Sequence, residues 1–325
     1  TLMEQTKNDL SVAVEDINTK LDQLSELNSS IAHEIFSNND YDGVNYGPND
    51  LLDQRNVILD DLSRYGDVQV TDLEDGKIQV KINGKVVVDA SGASYTNDKL
   101  NIGSDGVTLT WNSNNQNANL GAGAIRGFTD MLTGADPINA GIPYYQNKMD
   151  NFAQTLADVF NKKIHADDPD FPDKYKFLLQ GGVDGKVTAG NISISDQWAD
   201  DVSYIIRKQN PDGELDNQDI LDMKAAFEQD FNFGGEYTGT FSEFITSVTN
   251  TLGSGIKTNS ARMSASLAIA ESADSERMGV SGVSLNEEGI SMMTYNKAYQ
   301  ALGRLMTTMD EQLDMIINKM GIVGR

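Results

Sequence analysis

The chain has 325 residues, 39% of them hydrophobic, which is enough to bury a core and to build two or three domains. It carries 49 acidic against 25 basic residues, and a formal charge of -24 disfavours nucleic acid and anionic lipid surfaces, whose phosphates call for Lys and Arg. There is no cysteine, so disulfides and thiolate-held zinc or iron–sulfur centres are excluded, and no run approaches the ~18 to 20 apolar residues of a membrane helix.

The N-terminus lacks the basic segment and apolar stretch of a signal peptide. Thr1-Leu2-Met3-Glu4-Gln5 reads as the middle of a helix, so the chain is expected to be a piece without its natural N-terminus. Leu10, Val14, Ile17, Leu21, Leu24, Asn28, Ile31 and Ile35 then follow alternating steps of four and three, the spacing of a helix packed lengthwise on another. Asn28 is the polar residue on this seam. Either Leu27 shares its place at the core edge, the plainer expectation, or Asn28 fixes the pairing register. A polar stretch from Ser37 to Pro48 ends the helix, and a second helix is predicted from Asn49-Asp50 to about Tyr65.

The period then changes to two. Val68-Gln69-Val70, Lys77 to Ile82 and Lys85 to Val88 read as strands, with Asp75-Gly76 and Asn83-Gly84 as tight turns between them. A further strand from Gly106 to Trp111 completes an antiparallel β domain near 66–120, followed by an Asn-rich linker. Helical spacing returns between about Ile142 and Ile164. Residues 166–240, rich in Asp and Gly with a strand at Asn191-Ile192-Ser193-Ile194, read as a second small mixed insertion.

From Phe241 a helix runs through Ile245, Val248 and Leu252 to about Met278, with Gly253-Ser254-Gly255 as a potential kink. The last helix opens on the capping box Ser284-Leu285-Asn286-Glu287. Its seam is Leu285, Met292, Tyr295, Tyr299, Leu302, Met306, Met309, Leu313, Ile316 and Met320, broken only by Glu288, about 54 Å of helix. So long a stripe needs another long helix as partner. The fold class read from this pattern is α+β and multi-domain: an elongated helical-bundle stalk from both chain ends (1–65 and 241–325), a β domain at 66–120, a helical segment at 121–165 and the insertion at 166–240.

The last helix also carries a resemblance. Val280-Ser281-Gly282-Val283-Ser284-Leu285-Asn286-Glu287-Glu288, then Met293-Thr294-Tyr295-Asn296-Lys297-Ala298-Tyr299-Gln300-Ala301, resembles the C-terminal signature of flagellar rod, hook and hook-associated proteins. Asn49-Asp50-Leu51-Leu52-Asp53-Gln54-Arg55 resembles a segment of the FlgK family of hook-associated proteins. The stretch from Gly121 through Ile142-Pro143-Tyr144-Tyr145 to Asn161 and His165 is similar to the same family. The likeness covers nearly the whole chain and is weakest at 166–240.

The resemblance implies a non-enzymatic protein of the bacterial flagellum, exported unfolded through the type III channel without a cleaved signal peptide and assembled outside the cell at the hook–filament junction. It implies copies of itself, the hook protein, a neighbouring hook-associated protein and an export chaperone as partners, and no cofactor. The piece itself is expected to be monomeric. The alternatives are another axial protein, such as a hook or filament subunit, and an acidic adhesin that binds glycan or calcium.

Chemical motifs are few. His33-Glu34 begins a zinc-peptidase pattern, but Ser37 stands where the second histidine belongs. Gly121, Gly123 and Gly127 miss dinucleotide-loop spacing and follow no strand, so they read as a flexible turn. Asn210, Asp212, Glu214, Asp216 and Asp219 surround Gly213 as in a calcium loop, but Lys208 occupies the first ligand position, so a turn leading into a helix is the plainer reading. Asp167-Asp168-Pro169-Asp170 with Asp173 reads as a solvated loop. No residue is assigned to catalysis or to a metal.

Overall fold

The structure is a computed structural model. It describes residues 1–38, 48–90, 96–118, 120–164, 177–182, 185–203 and 216–319. The chain divides into a unit spanning Thr1–Val248 and another spanning Thr249–Arg325.

The first unit begins with α1 (Leu2–Asn38) and α2 (Asn49–Ser63). A four-stranded antiparallel sheet follows in the order β1 (Val68–Asp72), β2 (Ile78–Ile82), β3 (Lys85–Asp89) and β4 (Thr96–Asn97). β5 (Leu100–Ile102) and β6 (Leu109–Trp111) form a separate hairpin. The turns follow the sequence chemistry: Asp75-Gly76 and Asn83-Gly84 all adopt positive φ, the conformation such turns require. Gly76, at φ +68°, lies so close to α1 that an added Cβ would stand 2.5 Å from Ile35 Cδ1.

One apolar core joins these elements. Leu10, Val14, Ile17, Leu21 and Leu24 of α1 pack with Leu62 of α2, Ile78, Val80 and Val88 of the sheet, Leu100, Leu109 and Trp111 of the hairpin, and Ile125 and Leu132 of α3 (Gly123–Thr133). Strands therefore cover much of the seam that its spacing alone assigned to another helix. The reason is that a helical stripe specifies an apolar partner and leaves the kind of element open.

Asn28 is fully buried, and its amide donates to Ile78 O (2.9 Å) and accepts from Ile78 N (3.2 Å). Leu27 is half-buried, as a residue at the core edge is, but Asn28 itself is interior, and the partner of its amide is a strand backbone and not another helix. Asn18 treats Leu100 alike, donating to its O and accepting from its N, both at 2.9 Å.

The flexible turn expected at Gly121 to Gly127 is corrected as well, since Gly123 opens α3. Ala124 N donates to Arg64 O (2.9 Å), and at φ +78° a Cβ on Gly123 would lie 2.3 Å from the Tyr65 carbonyl carbon. The glycine lets α3 start hard against the end of α2.

The other half of the unit is built on α4 (Ile142–Lys163). Around it stand the pair β7 (Leu179–Gln180) and β8 (Ser193–Ile194), the helices α5 (Asp196–Asp200) and α6 (Gln218–Ala226), and the pair β9 (Phe231–Phe233) and β10 (Tyr237–Gly239). Phe152, Phe233 and Phe244 stack in an aromatic core, the last two 4.3 Å apart. Phe241 and Phe244 belong to the first turns of α7 (Phe241–Ser281).

Lysines join elements across this unit. Lys20 of α1 meets Asp61 of α2 at 2.9 Å, Lys99 meets Asp22 of α1 at 2.7 Å, Lys85 of β3 meets Asp98 at 3.2 Å, and Lys148 of α4 pairs with Glu236. The Lys99 hydrogen bond, helped by Asn97, holds the Asp22 carboxyl below its usual range, and Lys20 does the same for Asp61. Burial pushes Asp98 up, but hydrogen bonds from Ser113 and the Lys85 pair outweigh it, and the net shift is downward. Tyr65 donates to Asp16 (2.7 Å), and this bond is the main reason its pKa is pushed up to about 12.

Two predictions follow from these contacts. Asn28→Ala strands the buried N–H and C=O of Ile78 and should cost about 2 to 3 kcal/mol in urea unfolding of the chain. The half-buried Asn18→Ala should cost less, and equal costs near zero would show that neither amide matters to α1 docking.

A carboxylate with a depressed folded pKa contributes stability above its unfolded value of about 3.9, and that contribution is lost as pH falls through the folded value. Lys20→Met and Lys99→Met should therefore be less stable than the parent chain near neutrality. Comparison at each pH cancels the shared effect of the acidic surface, and the difference should shrink below about pH 4. A difference constant from pH 7 to 3 would rule out the ion pairs as its source.

Candidate functional site

In the second unit the same apolar spacing is left open to solvent. After Gly282, Ser284 caps α8 (Leu285–Asp314), its hydroxyl accepting from Glu287 N (3.4 Å). The 30 residues of α8 span about 45 Å. Leu285, Met292, Tyr295, Tyr299, Leu302, Met306, Met309 and Leu313 recur on one face, and every one of them is exposed, from 50% at Leu313 to 88% at Leu285. On α1, Leu10, Ile17, Leu21, Leu24 and Ile31 are at most 1% exposed, Val14 is buried too, and Ile35 is half-buried. The two seams share a spacing and differ in whether anything covers them.

Ile316 falls in a π-helical turn (Met315–Lys319) that continues α8, and it too is exposed. Met315 and Ile317 of the same turn are exposed as well, as the preceding residues of α8 are. Met320 lies outside the described residues.

A further stripe escaped the sequence reading. Leu252, Ile256, Met263, Leu267 and Met278 of α7 are spaced by four, seven, four and eleven residues, which keeps them on one helix face, and all are exposed. Ser, Ala, Asn and Gly between them dilute the pattern, so it stands out less than the Met- and Tyr-rich run of α8. Gly253-Ser254-Gly255 lie within the continuous helix.

The other sequence candidates do not converge. His33 and Glu34 are neighbours on α1, and His165, Asp167 to Asp173 and Asn210 to Glu214 lie outside the described residues. Asp216 accepts from Gln218 N (2.8 Å) at the start of α6, and Asp219 is buried in the first turn of that helix. Among the described residues no group of three or more His, Asp or Glu is placed to hold a metal ion, and no helix is long and apolar enough to cross a membrane. The chemistry these two stripes offer is apolar association.

Known proteins give the stripes a context. Residues 1–172, more than half of the chain, match the family described as the flagellar hook-associated protein FlgK helical domain. Residues 275–319, which contain α8, match the flagellar basal body rod FlgEFG protein C-terminal family. Flagellar hook-associated protein 1 of Bacillus subtilis (strain 168) is 27% identical over 360 aligned residues, covering 98% of this chain and 67% of that protein. Residues 173–274, including most of α7, lie outside both family matches.

Proposed function

The chain belongs to the FlgK family of flagellar hook-associated proteins, and on that premise we propose that it works at the junction between hook and filament, by assembly and without catalysis. It is a structural component of the bacterial flagellum. The observation that carries the finer reading is the α8 stripe, apolar over about 45 Å, exposed, and inside the segment matched to the rod-protein C-terminal family.

Each large apolar side chain taken out of water contributes about 1.5 to 3 kcal/mol. A seam of this length therefore supplies a gross gain large enough to offset the freedom lost when subunits associate. The partners proposed are further copies of this chain, the hook protein below and the next hook-associated protein above, with an export chaperone covering apolar surface beforehand. The seam residues of α1 serve the subunit interior and those of α8 the contacts between subunits, with the β module facing outward. The site of action is outside the cell, reached through the type III channel without a cleaved signal peptide.

Immunogold microscopy of flagella from the source cells tests the location. A narrow band at the hook–filament boundary is expected; label along the whole filament would make the chain a filament subunit, and label on the cell body alone would overturn the reading. Leu302→Glu and Met306→Glu each place a charge in the seam and should lower incorporation into flagella by tenfold or more, roughly the effect of 1.4 kcal/mol or above. Asp310→Asn should leave incorporation unchanged. Normal incorporation of both seam variants would remove α8 from the assembly contacts.

A further inference from the structure

The α7 stripe has no part in the role proposed for α8, yet the two match level by level. Helices joined by a short turn and laid antiparallel bring residues equally far from the turn side by side. Only Gly282, Val283 and Ser284 separate α7 from α8, a length that suits such a turn. Both helix ends are also built to stop there. Gly282 N donates to Met278 O (2.8 Å), an added Cβ on Gly282 would stand 2.3 Å from that oxygen, and Ser284 caps α8.

Counted outward from this turn, Leu267 and Tyr299 are equally distant. Met263 with Leu302, Ile256 with Met309 and Leu252 with Leu313 agree to within one residue. Levels between them set small α7 residues against bulky α8 ones, Ser260 against Met306 and Ala270 against Tyr295. Ser260 and Ala270 thus fill the gaps in the α7 stripe, and both seams then keep the three- and four-residue steps of helices that pack lengthwise. Charge agrees near the turn. Glu288, the carboxylate that breaks the α8 seam, comes within one residue of level with Arg277. Arg277 donates to Asp274 (2.9 Å), which is the charged residue on the α7 stripe and falls level with Met292. The guanidinium therefore stands where both carboxylates need a counter-charge.

In the structure neither stripe is covered: Met263 is 73% exposed and Tyr299 78%. We propose that α8 folds back on α7 as an antiparallel hairpin, so that in a dilute subunit each stripe covers the other. The short turn holds the two stripes at a high effective concentration, while the charge of -24 on every copy opposes a second chain in that place. The pairing does not depend on what α8 does in the flagellum. Resting on the role proposed for α8, the closed hairpin also guards the seam against premature association and has to open before the helix meets a neighbouring subunit.

The chain has no cysteine, so disulfide trapping reads the hairpin without background. In the full chain, Ser260→Cys with Met306→Cys should form an intramolecular disulfide at least ten times faster than Ser260→Cys with Leu313→Cys, which lies on the same face about 10 Å out of register. Adding Leu267→Glu, a charge placed opposite Tyr299, should slow the matched pair tenfold or more. Trp111 and Trp198 are both buried in the first unit, and their unchanged fluorescence checks that this unit stays folded in every variant. Equal rates for the two pairs, or no effect of Leu267→Glu, would overturn the proposal. So would a disulfide that forms only between chains, which would assign the stripes to a second copy. Incorporation into flagella plays no part in these rates, so the hairpin and the junction role stand or fall separately.

Discussion

A helix laid across the end of a strand faces a problem of backbone polarity, and its solution here organises the first unit. The strand residue has an N–H and a C=O directed at the helix, and burying them unpaired costs about 1 to 3 kcal/mol for each group. A carboxylate offers no donor, and aliphatic side chains offer nothing. A primary amide offers one donor and one acceptor side by side, the pattern of a neighbouring strand residue. Asn28 meets Ile78, Asn18 meets Leu100 and Asn161 meets Leu179 in this one way. The first two tie α1 to two different sheets from positions about 15 Å apart along the helix. Slipping α1 by a single residue would break both clamps at once, so they specify register as well as contributing stability.

This explains what the sequence disclosed and what it hid. Periodicity marked α1, α2, α4 and α8 by their amphipathic stripes and α7 by Ile245, Val248 and Leu252 near its start, and it marked β1, β2 and β3 because Asp75-Gly76 and Asn83-Gly84 separate them. It did not reveal β4 and β5, two and three residues long, which hold their places through Asp98 N bonded to Val87 O and through the Asn18 clamp. Pairing of that kind is tertiary and leaves no local signal. Within the helical segment expected at 121–165 the start of α3 was read as a turn for a related reason: its glycines look like a breaker until the end of α2 is placed beside Gly123. Asn28 on an apolar seam was visible as an anomaly, but only the strand beside it gives the reason.

The seam of the candidate site was legible in its residues and illegible in its state. Leu10 to Ile31 and Leu285 to Leu313 obey one rule of spacing, yet the first set is buried in its own unit and the second is exposed. Composition does mark a difference. The α1 seam is Leu, Ile and Val, whose restricted rotamers suit a fixed core, whereas α8 has Met at 292, 306 and 309 and Tyr at 295 and 299. Methionine adapts to uneven partners, and tyrosine tolerates water at one end while burying the rest of its ring. Such a surface suits contacts that form after folding and against more than one neighbour.

The charge of the chain bears on the same point. With 49 carboxylates and 25 cations, two copies repel each other over any broad face. Four lysines of the first unit pair with carboxylates within it, which cancels charge one for one and leaves the excess of carboxylates uncompensated toward a neighbour. The α8 seam, by contrast, is apolar from Met292 to Leu313 and is interrupted near its start by Glu288; Glu287, Asp310 and Glu311 as well as Lys297 and Arg304 share its helix. Association is thus opposed over most of the molecule and favoured along one apolar line. Under the role proposed above, a subunit of this kind stays dispersed while it is dilute and joins its neighbours in the orientation that brings seams together. The acidity that reveals nothing about the fold thereby restricts where the fold can assemble.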